Sequence, residues 1–172
     1  LFQKCHEFTD AIALREQGAY PYFIPLDKNE GTEVIYEGRR IIMCGSNNYL
    51  GLTTHPKVRQ AAINAIAEYG TSCTGSRFLN GNMTMIEDLE KELAAWVGKE
   101  AALIFSTGMQ TNLGTISALV GKDDIVIMDK EDHASIVDGA FLSGGKIERF
   151  RHNDMDHLER VLKSLPDEKG KL

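Results

Sequence analysis

Two short stretches of this chain carry the residue types from which a ligand site is built. Ser106-Thr107-Gly108-Met109 falls between an apolar run and a helical pattern. Backbone N–H groups at a helix N-terminus, approached closely over small residues, suit a phosphate. Read alone, the same Ser, Thr and Gly serve equally as ordinary capping chemistry. The second stretch is Asp129-Lys130-Glu131-Asp132-His133-Ala134-Ser135. There His133 stands between an apolar strand pattern and a helix, where its ring either faces a crevice or lies exposed in the loop. Asp129 reads as a helix-side cap in preference to a supporting partner in the site. Together, a phosphate cradle at one strand end and an aromatic plate at its neighbour describe a site for a phosphorylated flat cofactor.

Two loops rich in Gly, Ser and Asn add further polar groups. In SNNYLGLTT (46–54), Asn48 offers both a donor and an acceptor to a substrate carboxylate. Turn chemistry at Asn47-Asn48 is the plainer alternative. In TSCTGSRFLNGNM (71–83), Arg77 either binds an anion such as a carboxylate or CoA phosphate, or pins its loop by hydrogen bonds. His6, His55 and His157 lack ligand spacing. No Ser–His–Asp order, Walker loop or GxGxxG fingerprint is present.

The elements that must position these groups follow from the apolar pattern. Residues 1–20 read as a partly polar helical arm. TEVIYEGRRIIMCG places two β-branched or apolar runs around Glu37-Gly38, a hairpin signal. Pro56 opens a helix that ends at Gly70, with Ala61, Ala62, Ile63 and Ile66 inside. Thr84 with Glu87 forms a capping box for a helix carrying Ile86, Leu89, Leu93, Trp96 and Val97 on one face and stopping at Gly98. Beyond it, AALIFS (101–106), IVIM (125–128) and KIERF (146–150) read as strands alternating with helices. Asp154 caps the last helix. Such alternation predicts an α/β fold with a mainly parallel sheet covered on both faces, whose ligands collect beyond the strands' carboxyl ends.

Composition narrows the classes. With 172 residues, 42% hydrophobic and 26% charged, the chain can bury a real core. A net charge of −6 without basic runs argues against nucleic acid or an anionic membrane as partner. No apolar stretch spans a bilayer. Cys5, Cys44 and Cys73 are odd in number and widely spaced, which suggests reduced thiols in a cytoplasmic protein. A first residue other than Met, and an end at DEKGKL straight after a helix, suggest a piece of a longer protein.

The ordered motifs NNYLGL, TGSRFLNG, FSTGMQTNLG, DHASIVDG and RFRHND resemble the α-oxoamine synthases, fold-type I enzymes that use pyridoxal 5'-phosphate. The resemblance runs from about residue 20 to the end. It implies an arm and hairpin over 1–45, followed by the first part of a cofactor-binding large domain over 46–172. The implied reaction joins an amino acid to an acyl-CoA. The wording of GSRFLNG, FSTG, NLG and FRHN points to the members that condense L-serine with a long-chain acyl-CoA, with decarboxylation. Sister activities yielding 2-amino-3-ketobutyrate or 8-amino-7-oxononanoate are the alternatives.

By position, the resemblance implies that the Gly108 and Met109 amides hold the cofactor phosphate and that His133 stacks on the pyridine ring. Met109 departs from the aromatic residue usual there, which costs a ring but no backbone donor. Asn48 would reach substrate in the neighbouring active site of a homodimer, with Ser135 and Arg77 in support. The family's Schiff-base lysine, and the Asp that pairs with the pyridine nitrogen, have no counterpart motif here. Lys99, Lys122, Lys130 and Lys146 lie outside the expected Ser/Thr-rich context. The residues present are therefore expected to be inactive by themselves. A non-catalytic partner subunit is the competing class, and a plain nucleotide-binding domain fails for want of a glycine fingerprint.

Overall fold

The computed structural model describes residues 2–167 and 169–172, with 28–30 described by backbone alone. Two compact units divide after Cys73. In the first, short helices α1 (Gln3–Glu7) and α2 (Asp10–Glu16) precede a three-stranded antiparallel sheet. Its strands are β1 (Lys28–Glu30), β2 (Glu33–Tyr36) and β3 (Arg39–Ile42). The expected hairpin is β2–β3, with Tyr36 opposite Arg39. Glu37 and Gly38 both take positive φ, 48° and 73°, the conformation that a two-residue hairpin turn requires. Val34 of β2 is buried. After a single 3-10 turn (Leu52–Thr54), α3 runs from Pro56 to Tyr69, its first turn capped by His55 Nδ1 accepting from the Lys57 amide.

The second unit holds α4 (Thr84–Val97), α5 (Gly108–Leu119), β4 (Ile125–Asp129), α6 (Ala134–Ser143), β5 (Lys146–Phe150) and α7 (Met155–Ser164). Strands β4 and β5 pair in parallel from Ile125↔Lys146 to Asp129↔Phe150. On the other edge of β4, the backbones of Gly170 and Leu172 continue the ladder. Ile125, Val126 and Met128 of β4 are buried, and because 125 and 126 point to opposite faces the strand is covered on both, as in a parallel sheet. The core joins Ile116 and Val120 of α5, Val126 and Met128 of β4 and Ala140 of α6.

Helices α5 and α6 cross closely because Gly139 has no side chain. A Cβ there would stand 3.1 Å from the Asn112 carbonyl oxygen and 3.2 Å from Ile116. Gly114 likewise leaves room for the Phe105 ring.

Three expectations are corrected. AALIFS joins no strand among the described residues, and its Ile104 spends both backbone groups on side chains instead, N–H to Glu90 and C=O to Arg77. Thr84 begins α4 without capping it, and Glu87 accepts instead from the Asn82 side-chain amide at 2.7 Å. The apolar faces of α3 and α4 are not inside: Ile63, Ile66, Leu89, Trp96 and Val97 are all exposed. Periodicity marks which face is apolar and says nothing about whether the same unit covers it.

The crossing at Gly139 predicts that Gly139→Val destabilises the protein by about 1–3 kcal/mol through overpacking. Urea unfolding reads this directly, and an unchanged midpoint would mean the helices part at no cost.

Candidate functional site

The carboxyl ends of β4 and β5 and the N-termini of α5 and α6 supply the candidate site. Thr107 caps α5, its side chain accepting from the Gln110 amide at 3.1 Å, while its carbonyl accepts from the Thr111 amide. The Gly108 and Met109 amides have no acceptor among the described residues, so two N–H donors of the first turn remain open. A Cβ on Gly108 would meet nothing within 4 Å, which leaves clear approach to that backbone. Met109 is itself exposed.

His133 caps α6, the adjoining helix. Its Nδ1 accepts from the Ser135 amide at 3.2 Å and lies 2.7 Å from the Ser135 hydroxyl. That hydroxyl also receives the Asn112 side-chain amide at 2.8 Å. Asn112 stands one turn after Gly108 on α5, so this bond ties α5, one turn from its open amides, to the helix that His133 caps. Sequence reading missed Asn112; its signal is the four-residue spacing from Gly108, which puts both on one helix face.

Ser135, expected to support substrate binding, is 2% exposed and its hydroxyl is engaged on both sides.

Asp129 does not cap a helix. Its carboxylate accepts from the Glu131 amide at 2.8 Å, the Asn153 amide at 3.1 Å and the His152 ring at 2.9 Å, tying the ends of β4 and β5 together. Those amide bonds, led by that of Glu131, hold the Asp129 carboxyl below its ordinary range, and Asp129 in turn raises the His152 imidazole. Asp154 caps α7 as expected, accepting from the His157 amide at 2.8 Å.

Arg77 is committed within its own unit. Nη1 and Nη2 grip the two Glu90 oxygens at 2.5 and 3.0 Å, Nε donates to Asn82, and Nη1 also donates to the Ile104 carbonyl. Four of its five N–H bonds are thereby spent, so its geometry is that of a loop pin and leaves no fork for a substrate carboxylate. Glu90, which also accepts from the Ile104 amide, has its carboxyl pulled down to about 2, chiefly by the Arg77 hydrogen bonds. In the other unit, Asn48 closes its own loop: Nδ2 donates to Thr53 Oγ1 at 2.8 Å, and Oδ1 accepts from the Thr53 amide. Among the described residues, no His, Cys, Asp and Glu group is placed to hold a metal, and no helix is long and apolar enough to cross a membrane.

The model of the aminotransferase class I and II family matches residues 39–171, and the chain belongs to that family. More narrowly, it is similar to the serine palmitoyltransferase of Sphingobacterium spiritivorum, 47% identical over 172 residues, 100% of this chain and 43% of that protein. The 8-amino-7-oxononanoate synthase of Geobacter sulfurreducens is 46% identical over 87% of this chain and 38% of its own length. Among solved structures, the S. paucimobilis serine palmitoyltransferase with bound PLP–myriocin aldimine superposes with a TM-score of 0.93 at 36% identity. That match covers 99% of this chain and 44% of the other. The chain thus spans less than half the length of these relatives, and its fold is the N-terminal part of a fold-type I transferase. The resemblance read from the five motifs is borne out at the level of the family.

The Glu90 clamp predicts a pH effect with a definite sign. A depressed carboxyl stabilises the fold above its unfolded value of 4.5 and loses that contribution as pH falls toward about 2. The stability difference between wild type and Glu90→Gln should therefore shrink across that window in pH-resolved unfolding, and a constant difference would show the ion pair to be idle.

Proposed function

We propose that this chain is the N-terminal part of a pyridoxal 5'-phosphate-dependent acyltransferase that condenses L-serine with a long-chain acyl-CoA, with decarboxylation, to a 3-keto sphingoid base. The observation that carries the reading is the pair of open amides at Gly108 and Met109 beside the exposed, hydrogen-bonded ring of His133. A phosphorylated flat cofactor fits that pair: the α5 N-terminus takes the phosphate and the imidazole covers the ring. When bound, pyridoxal phosphate withdraws electrons from the amino-acid α-carbon, and the protein selects which bond breaks by orienting it. Gly108 and Met109 hold the phosphate, Thr107 keeps the turn closed by capping α5, and His133 fixes the ring plane and helps orient the substrate carboxylate.

Residues 1–45 form an arm and hairpin, and 46–172 begin the large domain. Asn48 reaches substrate across a homodimer, its loop shaped by Thr53, and the protein works in the cytoplasm. Arg77 and Ser135 act by holding the loop and the ring. Because the family's lysine motif has no counterpart in these residues, they are expected to give no visible cofactor band on their own. The relative from G. sulfurreducens favours a second reading, 8-amino-7-oxononanoate synthesis, in which a different amino acid and acyl thioester use the same phosphate and ring contacts.

The full protein, assayed with serine, alanine or glycine against short and long acyl-CoA, tests the choice. Serine with a long-chain thioester should give CO₂ and a 3-keto base, and His133→Ala should lower kcat/KM by at least about tenfold. Turnover only with glycine and acetyl-CoA would sink the assignment, and no turnover with any pair would favour a partner subunit.

A further inference from the structure

We propose that Asn112 and Ser135 are positioning residues that fix the tautomer of His133, keeping Nδ1 an acceptor and Nε2–H the free donor. This rests on the reading of His133 as a wall of the cofactor site. Three polar groups form a directed chain: Asn112 Nδ2 to Ser135 Oγ at 2.8 Å, and Ser135 Oγ to His133 Nδ1 at 2.7 Å. Its direction is decided by a group that can only donate. The Ser135 backbone amide points at Nδ1 at 3.2 Å and favours a lone pair there, which the shorter hydroxyl bond at 2.7 Å then secures. The Ser135 hydroxyl proton then goes to Nδ1, and its oxygen accepts from Asn112.

Burial makes the arrangement stiff. Ser135 is 2% exposed and Asn112 is half-buried, so neither polar group can readily trade its partner for water. Nε2 has no partner among the described residues and belongs to an exposed ring, and a fixed N–H there is a ready donor for a carboxylate or carbonyl oxygen. The chain also links the two halves of the site, because Asn112 belongs to the helix whose first turn holds the open amides. A shift of α5 would register at the His133 ring through two hydrogen bonds.

The test is 15N NMR of the histidine-labelled full protein without cofactor, with His133→Gln to assign the ring. In wild type, Nδ1 should resonate as an acceptor and Nε2 as an N–H. Asn112→Asp keeps the size but replaces the donor by an acceptor that draws the Ser135 hydroxyl proton to itself. With only the longer amide contact left to Nδ1, its resonance should then move part of the way toward the N–H type. Ser135→Ala should move it the same way by a smaller amount, and decides alone should Asn112→Asp fail to fold. An Nδ1 resonance unmoved in the folded variants overturns the proposal. Cofactor retention, followed in parallel on wild type, separates the two ideas: without retention the function reading fails, while the resonances still decide the tautomer.

Discussion

The close crossing of α5 and α6 is the constraint on which the second unit depends. Gly139 lets the Asn112 carbonyl and Ile116 approach to the distance of direct contact, and the two helices then share one core with β4. Once their axes are this close, their N-termini are brought alongside one another. The capping groups of both helices, Thr107 and His133, thereby present their open donors and ring from neighbouring positions. A bulky residue at 139 would separate the site's two halves before touching either.

A different economy operates at the start of the same unit. Ile104 sits in an apolar run suited to a strand, yet its N–H and C=O are met by the charged side chains of Glu90 and Arg77. A bidentate ion pair thus substitutes locally for a ladder neighbour, satisfying backbone groups that must be paired when partly buried. Arg77 also binds Asn82, so the Gly-rich loop, helix α4 and the segment leading into α5 are joined through one guanidinium.

Much of this was legible in sequence wherever the determinant is local. Glu37-Gly38 announces its hairpin, Pro56 and Gly70 bracket α3, and Asp154 caps α7, because each effect acts within four residues. Thr107-Gly108 and His133 were visible for the same reason. What escaped depends on partners far along the chain. Asn112 matters through Ser135, 23 residues on, and Glu90 through Ile104, 14 residues on. The apolar periodicity of α4 was read correctly as a face, but no pattern in one helix reveals whether a covering layer belongs to the same unit. The capping box failed for a subtler reason: Glu87 had a nearer donor in Asn82.

The exposed side of α4 carries Trp96, the single tryptophan, at 82% exposure. The indole belongs to none of the bonds that build the α5–α6 site. Its fluorescence is therefore a gauge of that outer surface: emission is that of a hydrated indole while the face stays open and moves to the blue when another polypeptide layer closes over it. Trp96 is thus an optical reporter of what covers α4, set apart from the α5–α6 site.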